Sequence, residues 1–192
     1  MATSTLVVAA SMAGMRIVPA STSGMKCTAT ALREMPEVRA WIDGDEIVTP
    51  ATVDVGLAVA LDDGLIVPVI RDVDRLSLVE LSRARQAAID AARAGRCTRE
   101  DLDGGSFTLS NFGSYGGDFE TPILNPPQSA MLGIGRIADD VVARDGVPAV
   151  RPMMWISMTF DHRLIDGATA GRFRARLRAL LESPSRLLAT LR

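Results

Sequence analysis

Histidine is almost missing from this chain: 192 residues contain one, His162. Cysteine is scarce too. Cys27 and Cys97 form no metal-type cluster, and with one histidine they cannot build a common zinc site, so no metal is expected. They read as reduced thiols of a cytoplasmic protein. Neither sign of charge dominates. Lys and Arg number 21 against 23 Asp and Glu, and a formal net charge of -2 argues for no nucleic acid and no anionic membrane as partner. The apolar stretch 6–15 is far shorter than the ~20 residues of a membrane span. No Walker A sequence occurs, and no Gly-x-Ser-x-Gly elbow, which argues against an ordinary α/β-hydrolase. Gly133-x-Gly135-x-x-Ala138 fits a degenerate dinucleotide fingerprint. It runs into Asp139-Asp140 and a turn instead of a helix, so it is rejected.

What is present suits one soluble domain: 47% hydrophobic and 23% charged residues in 20.5 kDa are enough to bury a core. Residues 1–24 read as a leader of uncertain structure, without the positive start of a secretory signal and with Pro19, Ser21, Thr22, Ser23 and Gly24 as loop formers. The domain is expected over 25–192.

Several elements carry local signals. The spacing predicts a helix over 25–34, stopped by Pro36, and a short strand at 46–48. Val53, Val55, Leu57, Val59 and Leu61 alternate with smaller residues and predict one strand; Asp62-Asp63-Gly64 then turns the chain into 65–70. Pro68 cannot donate to a ladder and marks an edge or a bulge. Ser77 and Glu80 form a capping box before a helix over 78–93, and Gly95 stops it. A capped turn follows at 98–102, then strands over 106–112 and 129–137, with Asp145-Gly146 as a turn. Two further strands, 147–150 and 153–160, lead to a helix over 168–182 and a last capped segment, 187–191.

The strand over 153–160 ends at Asp161-His162-Arg163-Leu164-Ile165-Asp166-Gly167. Here the lone histidine stands between a strand and a helix, a usual place for functional groups. Its unperturbed pKa near neutrality makes it the default proton carrier. Asp166 alone would read as a helix N-cap. Yet an acid and a base four residues apart across a turn can be brought together. A second informative stretch is Ser106–Gly117, a strand running into a glycine-rich loop where backbone can approach a ligand.

Asp-His-Arg-x-x-Asp-Gly resembles the signature of the acyltransferase (E2) catalytic domain of 2-oxo acid dehydrogenase complexes, which shares its fold with chloramphenicol acetyltransferase. The resemblance continues through 106–117, 121–130 and 132–137 and covers roughly residue 25 to the end. It implies an α/β fold (an α+β two-layer sandwich), a mixed sheet flanked by helices. It implies acyl transfer between a dihydrolipoyl group on a partner carrier domain and coenzyme A, with E1 and E3 as further partners. In that reading His162 is the general base and Ser110 the hydroxyl that stabilises the oxyanion. Asp166 is the acidic residue that fixes the site's geometry, while Asn111 and Gly113 border the coenzyme A channel. The resemblance also implies a homotrimer, with further assembly into larger cores, whose sites lie between subunits. Acetyl, succinyl and branched-chain enzymes share these motifs, so the acyl group is open; Phe112, Tyr115 and Phe119 are candidate pocket walls.

The chain departs from the family pattern in front. The Arg-bearing helix that opens such domains is missing or replaced, leaving Arg16 as the candidate for the arginine that pairs with the acidic residue. Arg39 stands where relatives commonly have Asn. No lipoyl domain, subunit-binding domain or Ala/Pro linker is present, so the chain is expected to be a truncated core. A non-catalytic oligomeric core is the alternative, and a Ser110-His162-Asp166 hydrolase is a third reading.

Overall fold

The computed structural model describes residues 3–11 and 20–183. Six strands form one mixed sheet in the order β1-β10-β9-β8-β4-β7. They are β1 (Thr3–Ser11), β4 (Val55–Leu57), β7 (Val69–Ile70), β8 (Phe107–Asn111), β9 (Ala130–Arg144) and β10 (Val147–Asp161). Two small ribbons, β2 (Trp41–Asp43) with β3 (Glu46–Val48) and β5 (Val59–Leu61) with β6 (Gly64–Ile66), lie outside it. β8 is parallel to both β4 and β9, whereas β10 is antiparallel to β9 and β1. The helices are α1 (Ala20–Glu34), α2 (Leu78–Arg93), the short α3 (Arg99–Leu102) and α4 (Gly167–Glu182). Among the described residues no helix is long and apolar enough to cross a membrane.

α4 follows its sequence pattern: Phe173, Leu177, Leu180 and Leu181 form a buried stripe. The Phe173 ring meets that of Phe107 on β8 at 6.1 Å. Burying one such side chain is worth about 1.5–3 kcal/mol. α1 is buried on nearly every side, and its Thr28 and Thr30 hydroxyls satisfy themselves on the carbonyls of Gly24 and Lys26. Across the helix pair, Arg176 of α4 forks onto the Glu34 carboxylate of α1 at 2.6 and 2.7 Å.

Three expectations change. The stretch taken as leader supplies β1, an edge strand paired with β10 from Thr3↔Asp161 to Ser11↔Met153. The boundary after residue 24 falls inside α1, which begins at Ala20, because tertiary packing overrides the weak propensity of Ser21–Gly24. The strand expected over 53–61 is split. After Leu57 the chain leaves the sheet, the Ala58 N–H donates to the Leu109 carbonyl, and Val59–Leu61 turns to pair with Gly64–Ile66. The two strands expected at 147–150 and 153–160 are one, running through Pro152, which lies opposite Asp139 of β9 and, among the described residues, has no second strand beside it. Arg16 and the segment 187–191 lie outside the described residues.

Side-chain alternation decides what each sheet face carries. Phe107 and Leu109 are buried in the helix-side core. Thr108 and Ser110 therefore face the other side, which the segment 112–129 covers. There Thr108 Oγ1 donates to Gln128 Oε1 at 2.6 Å, and Gln128 Nε2 donates to the Gly105 carbonyl.

Candidate active site

His162 occupies a tight turn pinned from both sides. The N–H of Asp161 donates to the Ser129 carbonyl, and the N–H groups of Leu164 and Ile165 donate to the Asp161 carbonyl at 3.1 and 3.0 Å. The Asp161 carboxylate, 2% exposed, receives the Arg163 N–H at 3.0 Å and the Arg163 guanidinium at 2.6–3.1 Å. Those guanidinium bonds hold the Asp161 carboxyl below the usual carboxylate range, against the opposing pull of burial. The residues on either side of His162 thus close on each other, and the imidazole is pushed outward. It is exposed and backed by the buried Phe160 ring at 5.7 Å.

Asp166 lies one turn further on as the N-cap of α4. Its Oδ1 accepts the Thr169 N–H at 2.6 Å, and that backbone bond lowers its pKa. Among the described residues no hydrogen bond joins Asp166 to His162. The turn brings acid and base near in sequence, but the acid's carboxylate serves the helix.

Ser110 sits in β8, half-buried on the loop-side face, level with Gly133 of β9 and Ser157 of β10. His162 is five residues beyond Ser157, just past the end of β10. At ~3.3 Å per residue this is roughly 16 Å along the strand, with two interstrand steps of ~4.8 Å across. Within one protomer, therefore, Ser110 and His162 cannot touch, and a Ser110-His162-Asp166 hydrolase triad in a single chain is excluded.

Asn111 is the other half-buried residue at this strand end. It lines a cleft of about 270 Å³ together with Ala58, Arg85, Ser114 and Tyr115. It also lines a second cleft beside Gly113, Gly135 and Arg136. Gly113 borders that cleft, but its lack of a side chain is demanded by packing: an added Cβ would stand 2.3 Å from the Gly135 carbonyl carbon. Of the three candidate pocket walls, Tyr115 and Phe119 are largely exposed. Phe112 is packed over Gly133 and Gly117. His162 lines neither cleft. One protomer thus holds the histidine turn and Ser110 toward opposite ends of the sheet, and the two clefts at the Ser110 end are lined by Asn111 but not by Ser110. Sequence reasoning missed Ser157 and Glu120, which flank Gly133. A serine inside the apolar run 153–160 was the available signal.

Comparison with known proteins gives the family and the fold. The family model of 2-oxoacid dehydrogenases acyltransferase (catalytic domain) matches residues 18–189. The dihydrolipoyllysine-residue succinyltransferase component of the 2-oxoglutarate dehydrogenase complex of Rickettsia bellii is 42% identical over 167 residues, 87% of this chain and 42% of that protein. The chain thus spans about two fifths of the length of this curated relative. Among solved structures, the cubic core of a pyruvate dehydrogenase multienzyme complex superposes with a TM-score of 0.93 at 30% identity, over 97% of this chain and 84% of that one. The dihydrolipoamide acetyltransferase of Azotobacter vinelandii, studied for the role of a serine, a histidine and an asparagine in its catalytic mechanism, gives 0.91 at 30% over the same shares. Chloramphenicol acetyltransferase, 19% identical over 93% of this chain and 88% of its own, shares the fold at a TM-score of 0.65. The mixed sheet flanked by helices is therefore the expected chloramphenicol acetyltransferase-like fold, and the chain belongs to the catalytic-domain family of the 2-oxoacid dehydrogenase acyltransferases.

Proposed function

We propose that this chain transfers an acyl group between a dihydrolipoyl arm on a partner carrier domain and coenzyme A, as the core of a 2-oxo acid dehydrogenase complex with E1 and E3 components in the cytoplasm. The working unit is a homotrimer in which His162 of one protomer meets Ser110 of the next. The observation that carries this reading is a spacing. In the A. vinelandii enzyme the serine precedes the histidine by 52 residues and the asparagine follows it by four; Ser110 precedes His162 by 52, and Asp166 follows by four. The separation of Ser110 and His162 within one sheet supports a site shared between copies.

The chemistry follows from the groups. A thiol of pKa ~8.5 is mostly protonated at neutral pH, and the thiolate is the attacking form. His162 takes the thiol proton of coenzyme A as the sulfur attacks the thioester carbonyl. The carbonyl oxygen becomes an oxyanion, to which the Ser110 hydroxyl donates; such a donor is worth roughly 10²–10³ in rate. The intermediate collapses by breaking the bond to the lipoyl sulfur, and the imidazolium returns the proton to that departing thiolate. Asn111 and Gly113 flank the coenzyme A arm, and Asp166 keeps the histidine turn seated on α4.

His162→Ala tests the assignment. Acyl transfer should vanish while the circular dichroism spectrum is retained, and unchanged turnover rejects the role. An assembled particle with no affinity for coenzyme A would favour a non-catalytic core instead.

A further inference from the structure

The larger-lined of the two clefts at Asn111 carries charge of one sign. Arg85 and Arg93 of α2 both line it, and no Asp or Glu side chain does. They are two helical turns apart, about 12 Å along the axis, with Ile89 between them on the same side of α2. Arg85 is half-buried. Its Nε donates to the Thr22 hydroxyl at 3.3 Å, but among the described residues its four Nη–H donors find no acceptor and its charge finds no ion pair. Burial lowers the Arg85 pKa, and no neighbouring carboxylate raises it back. Arg93 is exposed and is also without an ion pair among the described residues; Asp62 and Asp63 stand beyond it, in the next cleft. A half-buried guanidinium with unmet donors costs free energy that a bound anion recovers. The cleft measures about 270 Å³, against ~30 Å³ for a water in the liquid, so it has room for an anion and part of the molecule that carries it.

We propose that this cleft binds a phosphate ester, with the Arg85 guanidinium on the phosphate oxygens and Arg93 at the outer end. The guanidinium fork matches phosphate geometry, and the bond to Thr22 already orients it. A phosphate offers three acceptor oxygens and a charge near -2 to two cations, which suits this cleft better than a single carboxylate does. Val59, Ile89 and the Tyr115 ring add apolar surface for the group that bears the phosphate. The site stands apart from Ser110 and His162, neither of which lines the cleft, so it does not depend on the acyl-transfer reading. Two sources share the chemistry: the phosphate-bearing end of coenzyme A, or a separate phosphorylated metabolite.

The test is calorimetric titration of the full chain with adenosine 3′,5′-bisphosphate, with adenosine, and with succinate as a dianion that lacks phosphate. The bisphosphate should bind roughly tenfold or more tightly than either control, and its affinity should fall as salt is added. Arg85→Gln should weaken it roughly tenfold or more, and Arg93→Gln by a smaller factor. Arg85→Gln should melt no lower than the unmodified chain, since it removes a desolvated charge. Equal binding of succinate and the bisphosphate overturns the proposal, and so does unchanged affinity in a folded Arg85→Gln protein. Should that variant not fold, Arg85→Lys decides: it keeps the charge and loses the fork, so weakened binding supports the site and unchanged binding overturns it. Displacement of the bisphosphate by coenzyme A but not by pantetheine makes the phosphate coenzyme A's own. Bisphosphate binding without such displacement makes it a separate metabolite's, and both results support the site. Failure of coenzyme A to bind while the bisphosphate still binds counts against the acyl-transfer reading alone.

Discussion

Ser110 and His162 stand toward opposite ends of one sheet: Ser110 is level with Ser157, and His162 follows Ser157 by five residues, in the turn just past the end of β10. A site that needs both must be assembled from two copies, so two inactive variants should repair each other. Ser110→Ala and His162→Ala should each be inactive alone. Mixed trimers formed by co-expression should recover roughly a quarter of the normal activity, since one site in four then draws its serine from one variant and its histidine from the other. Acyl-transfer assays of the mixture check this, and no recovery in verified mixed trimers refutes the shared site.

Asp166 should respond to shape more than to charge. Its Oδ1 caps α4 through the Thr169 N–H, and Asn caps a helix about as well as Asp. Asp166→Asn should therefore keep both the melting temperature and acyl transfer, as the asparagine of the A. vinelandii relative suggests. Asp166→Ala should lower both by freeing the first turn of α4. Calorimetric melting with parallel assays separates the outcomes, and loss of activity in a fully stable Asp166→Asn protein would assign the charge a direct role.

Elements with local signals were legible in the chain. α2 spans the predicted residues because Ser77 and Glu80 do form the capping box and Gly95 adopts a left-handed φ of 63°. The turn at Asp145-Gly146 holds for the same reason, with both residues at positive φ. Long-range pairing was not legible. Nothing in Thr3–Ser11 announces that its partner lies some 150 residues away in β10. Nor does the alternation of 53–61 show where the chain leaves the sheet. The candidate site divides likewise. His162, Asp166 and Ser110 stand out by motif, whereas their separation depends on strand register. Glu120 is a plain loop glutamate until folding sets it against Gly133.

Asp161 gives the histidine turn a pH dependence. The Arg163 bonds hold its folded pKa below the ~3.9 of an unfolded aspartate. A depressed carboxylate pKa contributes stability that is present above the unfolded value and is lost as pH falls through the folded one. The unfolding midpoint should therefore drop as the solution is acidified below about pH 4. Asp161→Asn should show a smaller drop over that range from a lower starting value. Urea titrations at neutral and acidic pH measure it, and identical acid slopes would remove Asp161 from the account.

Gly113 and Gly171 should behave oppositely. A Cβ on Gly113 would press on the backbone of Gly135 and Arg136 at 2.3–2.4 Å, with no flexible side chain to yield. Gly113→Ala should cost about 2–4 kcal/mol, the range of severe packing faults. Gly171, inside α4, meets nothing within 4 Å, and Gly171→Ala should add about 0.5–1 kcal/mol through helix propensity and a less flexible unfolded chain. Denaturant midpoints decide both. A Gly113→Ala protein of normal stability but weakened coenzyme A binding would mean that ligand approach, not packing, demands the glycine.

Lys26 is a buried cation outside the candidate site. It is 1% exposed in α1, and its ammonium donates to the carbonyls of Val73, Asp74 and Leu76, the turn that leads into α2. Burial lowers its pKa, yet three carbonyls fill its three donor positions, so the charge is held by bonds instead of by a counter-ion in contact. Lys26→Met keeps the stem's volume and strips the donors. The three carbonyls then lose their shared partner, at a cost of about 2–4 kcal/mol. The urea midpoint should fall with the slope unchanged, since the surface exposed on unfolding stays the same. Amide exchange should quicken first at Asp74–Ser77 and the N-terminal turn of α2, where the lost bonds were anchored. A uniform loss of protection across the sheet would point to a core defect instead, and would count against this lysine as the tie between α1 and the 73–76 turn.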